Sequence, residues 1–157
     1  MAFVSDHTVL LDRLDAALCL APKPSRDLLA KIIAGACARV PILAQSGCDT
    51  TIGRLAESGA WADAALALVE LELPGWSLRR LICEDGTWSC SLSRQPNLPA
   101  ALDDTADGGH DVMPLAILRA FLQARRMASV SSASRSVASV PVVEQARVEF
   151  VCCENFA

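Results

Sequence analysis

The chain reads as a mostly helical α+β protein. An N-terminal helical hairpin is followed by a helix, an antiparallel β-hairpin with two or three strands, and a last helix, packed as a small sandwich. Three observations carry this reading. Of 157 residues, 26 are Ala and 21 Leu, with no Tyr, three Trp and four Phe, which is the usage of close-packed helices. Apolar residues recur at three- to four-residue spacing along most of the chain. Between Trp76 and Arg94 the period falls to two.

The first periodic segment runs from about Thr8 to Leu20, with Leu11, Leu14, Ala17 and Leu18 on one helical face and Asp12, Arg13 and Asp15 elsewhere. Pro22 and Pro24 end it. Ser25 then offers a hydroxyl to cap a second helix, whose stripe is Leu28, Leu29, Ile32, Ile33, Ala36, Cys37 and Val40 and which Pro41 closes. So short a connection predicts an antiparallel pair. Residues 42–50 read as a loop, and Asp49 or Thr50 is placed to cap a short helix from Thr51 to Glu57, interrupted by Ser58 and Gly59. A longer helix follows from Ala60 to about Leu73. It carries only Asp63, Glu70 and Glu72 as charges, which predicts that other elements sandwich it. Pro74 and Gly75 stop it.

Thr87, Ser89, Ser91 and Ser93 alternate with Trp88, Cys90, Leu92 and Arg94, the pattern of a half-buried strand, and Trp76 to Cys83 is its expected partner. Two registers are open. A two-residue Asp85-Gly86 turn sets Trp88, Cys90 and Leu92 beside Cys83, Leu81 and Arg79. A three-residue turn with a Gly bulge sets them beside Ile82, Arg80 and Leu78, with Trp76 beside Arg94. The second gathers more large apolar groups on the buried face and is the favoured one, at the cost of placing Arg80 among apolar neighbours.

Residues 95–110 hold Pro96, Pro99, Gly108 and Gly109 with Asp103, Asp104 and Asp107 and read as a loop, with room for a short strand near Ala100 to Leu102. Asp111 is the expected cap of the last helix, in which Pro114 suits the first turn and Leu115, Leu118, Phe121 and Leu122 form the buried stripe. Beyond Met127 six Ser fall between Ser129 and Ser139, which reads as a flexible linker, and apolar Val148 to Phe156 could add an edge strand or stay loose. Three segments follow: a helical hairpin over 1–48, an α+β core over 49–128 and a Ser-rich tail over 129–157.

The stretch from Ala60 to Leu71, the Trp76 to Arg94 hairpin, and Thr105-Ala106-Asp107 leading into Met113-Pro114-Leu115-Ala116-Ile117-Leu118-Arg119-Ala120 resemble the phage ABA sandwich domain. The shared features are a tryptophan-bearing second strand and a short Ala, Asp and Pro run that opens an Ala- and Ile-rich helix. The resemblance covers roughly residues 59 to 126. It implies the helix, hairpin, helix architecture and a phage-related origin, and because the family has no assigned activity it transfers no catalytic residue.

Composition narrows the function classes. Charged residues interrupt the chain too often for an apolar span of about 20 residues, so no segment is expected to cross a membrane. Met1 to Asp12 carries two Asp and no Lys or Arg, unlike a secretory leader, which places the chain in the cytoplasm. The seven cysteines, at 19, 37, 48, 83, 90, 152 and 153, form no C-x-x-C pair, so neither a disulfide framework nor a zinc template is read. The glycines form no phosphate loop and there is no G-x-S-x-G.

Three clusters could carry chemistry. Asp103, Asp107, His110 and Asp111 could hold a divalent cation if their loop folds them onto one point. Helix capping and solvation account for the same residues without a metal. Cys152 and Cys153 could bind a soft metal or form a mixed disulfide, although Glu149 and Glu154 oppose thiolate formation. Arg79, Arg125 and Arg126 could gather into a phosphate-attracting patch despite the formal net charge of −4. Packing, capping and turn chemistry nonetheless explain almost every residue type. The sequence therefore reads as a non-catalytic interaction or regulatory module with no cofactor, whose partner is another protein or a second copy, with nucleic acid and membrane set aside.

Overall fold

The computed structural model describes residues 2–45 and 51–135. Its helices are α1 (Ala2–Leu20), α2 (Arg26–Ala36), α3 (Arg39–Gln45), α4 (Thr51–Glu57), α5 (Trp61–Glu72) and α6 (Met113–Arg135). Its strands are β1 (Ser77–Glu84), β2 (Thr87–Ser93) and β3 (Thr105–His110), with a 3-10 turn at Ala100–Leu102. The strands form one antiparallel sheet in the order β1-β2-β3. The α+β class and the helix, hairpin, helix order follow the sequence pattern.

Ser25 caps α2 as its position predicts, its hydroxyl accepting from Leu28 N–H at 3.2 Å. The helix stops at Ala36 and does not run to Val40. Pro41 falls in the first turn of α3, where its missing N–H costs nothing, so residues 42–45, read as loop, are helix, while 46–50, with the expected cap at Asp49 or Thr50, lie outside the described residues. The acceptor for that first turn is remote. The carboxylate of Glu72, at the end of α5 and only 4% exposed, accepts from Ala38 N–H (2.9 Å), Arg39 N–H (2.7 Å) and Val40 N–H (2.7 Å).

One apolar core runs from α1 to α6. Leu11, Leu14 and Leu18 of α1, Leu28, Leu29 and Ile32 of α2, and Ala64, Ala65, Leu68 and Val69 of α5 all belong to it. Helix α5 is flanked by α3, α4 and α6, but α6 is the more enclosed. The sheet lies on one side of α6, and α1 and α5 pack against it elsewhere, so its buried set is wider than the expected stripe and takes in Ala116, Ile117, Ala120 and Ala124. The helix continues through Ser129 to Arg135, where a flexible linker is expected; residues 136–157 lie outside the described part.

The hairpin takes the two-residue turn, not the favoured three-residue one. Asp85 (φ 51°) and Gly86 (φ 81°) both adopt positive φ, the conformation that an Asp-Gly hairpin turn demands. Cys83 then pairs with Trp88 and Leu81 with Cys90. A bulge between Leu78 and Arg80 resets the ladder, so Leu78 still meets Leu92, as the three-residue register expects. Turn chemistry and the cost of burying Arg80 outweigh the extra apolar burial: Arg80 lies on the serine side of the sheet with its side chain 62% exposed.

The third strand is Thr105–His110, and Ala100–Leu102 is the 3-10 turn before it. Gly108 is what lets α6 lie on this strand. A Cβ there would sit 2.3 Å from Ala120 N and 2.5 Å from Ala116 O, so the helix and strand backbones touch directly.

Candidate functional site

The sheet has two unlike faces. The inner face, against α6, is built from Trp88, Cys90 and Leu92 of β2, Leu81 of β1, and Ala106 and Gly108 of β3. The outer face carries Arg80, Ile82 and Glu84, Ser89 and Ser91, and Asp107 and Gly109. Among the described residues no helix covers it. Those side chains and the strand backbone outline a shallow depression of about 350 Å³.

Two polar clusters give this face its order. At the bulge, the Arg79 guanidinium pairs with the Asp103 carboxylate and donates to Leu98 O at 2.8 Å. Ser93 Oγ also donates to Asp103 and accepts from Gln95 N–H at 2.9 Å. Asp103 is 2% exposed and Arg79 20%, so this pair fastens residues 95–103 over one end of the outer face. Farther along, Ser91 Oγ donates to Asp107, which accepts again from Thr105 Oγ1 at 3.0 Å.

Each acidic residue and the histidine read as a cation set has a different neighbour. Asp103 serves Arg79 and Asp107 serves Ser91 and Thr105, as above. His110 Nδ1 accepts from Val112 N–H at 2.9 Å, and Asp111 accepts from Thr87 Oγ1 at 3.3 Å. Val112, not Asp111, immediately precedes α6, and Val112 O accepts from both Leu115 N–H and Ala116 N–H. Asp103, Asp107, His110 and Asp111 are not drawn to one point: no three His, Cys, Asp or Glu side chains among the described residues form a group that could hold a metal ion.

The arginines are likewise distributed. Arg79 faces the loop. Arg126 reaches α1, pairing with Asp12 at 2.8 Å and donating to Leu11 O at 3.3 Å. Arg125 borders a small cleft with His7, Ala128 and Ser129, and its buried Nε has no acceptor. Arg119 ties three elements together, donating from Nε to Asp15 at 2.9 Å and from Nη1 to Gly109 O at 2.5 Å. The α1 carboxylates that hold these cations, Asp12 and Asp15, carried no sequence signal beyond their place off the apolar stripe. Glu72 was equally silent, since its partners lie more than 30 residues away.

Burial pushes the Cys90 thiol up to about 12, with Asp107 adding to the effect. Burial and the Glu72 carboxylate raise Cys37 to about 12 against the opposing pull of Arg125. Neither is a thiolate at neutral pH. Cys152 and Cys153 lie outside the described residues. Among the described residues no helix is long and apolar enough to cross a membrane.

No protein-family model, curated protein or solved structure matches this chain.

Proposed function

We propose that the protein is an interaction module, a non-catalytic one, that engages another protein through the outer face and free edge of its sheet. The observation that carries this reading is the asymmetry of the sheet. One face is closed by α6 in backbone contact, whereas the other presents Arg80, Ile82, Glu84, Ser89 and Ser91 to solvent with no covering helix among the described residues. A sheet open, among the described residues, on one face and along β1 offers main-chain and side-chain groups in a fixed array, which is how extended partners are recognised. The polar side chains suited to chemistry support the same reading, because Asp103, Asp107, His110 and Arg119 are engaged in holding loops, strands and helices in place. The phage-related origin implied by the ABA sandwich resemblance belongs to this proposal as well.

Site-specific photo-crosslinking tests it. A benzophenone side chain introduced at Ser89, on the outer face, is expected to give discrete protein adducts in cells that express the full chain. The same group at Lys31, exposed on α2, serves as the control. Absence of adducts from Ser89, or an equal set from Lys31, overturns the reading.

A further inference from the structure

We infer that the free edge of β1 pairs with the β1 edge of a second copy, joining two sheets into one across a two-fold axis centred on Ile82. This rests on the interaction reading above and names its partner. Among the described residues, strand order leaves β1 bonded on one side only, to β2. The phase of the free side follows from the turn. In a two-residue hairpin the pair flanking the turn, here Glu84 and Thr87, is hydrogen-bonded, and the pairs then alternate. Ile82 therefore spends its backbone groups on Ser89, and Leu81 and Cys83 aim their N–H and C=O at the open edge. The bulge between Leu78 and Arg80 ends the regular edge at its other side, which leaves Arg80–Glu84 as the flat segment available for pairing.

Antiparallel self-pairing must match that phase, and charge then selects the register. Centring on Ile82 sets Leu81 opposite Cys83 of the second copy, so their unspent backbone groups satisfy each other. It sets Ile82 opposite Ile82, and on the same outer face Arg80 opposite Glu84 and Glu84 opposite Arg80. Both charged pairs occupy non-hydrogen-bonded positions, where opposed Cα atoms stand about 4.5 Å apart and side chains interact most closely. Within one copy Arg80 and Glu84 are only loosely paired, at 3.9 Å with 62% and 73% of their side chains exposed, so both are free to turn to a partner. Other registers do worse. Centring on Leu81 sets Arg80 against Ile82, and centring on Arg80 sets like charges face to face. The charges that normally protect a sheet edge from pairing are self-complementary here.

Reciprocal charge reversal tests this with exposed residues that leave the core untouched. By light scattering across micromolar to millimolar concentration, the wild-type chain is expected to form dimers. Arg80→Glu alone and Glu84→Arg alone each turn both pairs into like-charge pairs and are expected to weaken dimerisation at least about tenfold. An equimolar mixture of the two single variants restores both pairs and is expected to dimerise like wild type. A chain that remains monomeric throughout overturns the inference, as does a dimer indifferent to both reversals. Either result leaves the interaction reading standing if Ser89 still crosslinks to other proteins, and that reading fails separately if Ser89 gives no adduct.

Discussion

The inner and outer faces of the same three strands follow opposite rules. On the inner face helix and strand backbones approach so closely that only Gly fits at position 108, and Cys90, Leu92 and Ala106 are fully enclosed. On the outer face the next residue, Gly109, has nothing nearer to an added Cβ than Trp88 O at 3.8 Å. Order there comes from polar clusters at a few points, not from packing. Adjacent residues on one strand thus sit in a site that tolerates no added atom and in one that tolerates several, which separates the face that holds the fold from the face left for contact.

Substitutions can break this contrast in graded fashion. The largest effect is expected from Gly108→Ala, which must push α6 off the sheet; a loss of at least about 3 kcal/mol in urea unfolding is predicted. Asp103→Ala is next, at about 3 kcal/mol or somewhat less, because the mostly buried Arg79 is left without its carboxylate. Adding Arg79→Met to that variant should recover part of the loss, and a double-mutant cycle measures how much.

A pH titration reads the inner face and its neighbourhood. Cys90 and Cys37 titrate near 12 in the folded chain, whereas an ordinary thiol titrates near 9.0. The unfolded chain therefore loses these protons first, so their contribution to stability is intact below pH 9 and falls as pH rises from about 9 toward 12. Denaturation midpoints over that range check it, and in native protein at pH 8 a thiol alkylating agent should modify the exposed Cys19 and Cys83 and spare Cys37 and Cys90. The smallest effects belong to the outer face. Ser91→Ala should cost no more than about 1 kcal/mol, and Gly109→Ala should change stability by less than about 0.5 kcal/mol.

Local signals made most of the helices legible in the sequence. Ser25 before an apolar stripe and the breakers Ser58-Gly59 and Pro74-Gly75 mark boundaries that the structure keeps to within a residue or two. What eluded the sequence depended on distant partners. Thr105–His110 contains two Gly and an Asp and reads as a loop, yet β2 supplies its ladder and α6 requires its glycine. The register failed to follow apolar counting because Asp85-Gly86 dictates a turn and Arg80 resists burial. At the candidate site, the alternation of serines with Trp88, Cys90 and Leu92 announced a two-sided strand. Nothing in the spacing of Asp103, Asp107, His110 and Asp111 revealed that each would be claimed by a different neighbour.

The Glu72 clamp bears on the order of assembly. Seven residues are too few to sustain a helix in water, and the acceptor for the opening turn of α3 is carried by a segment that comes much later in the chain. Helix α3 therefore waits for α5 to arrive, and loosening that one carboxylate strips the opening turn of α3 of its acceptor while α2 keeps its own seat in the core.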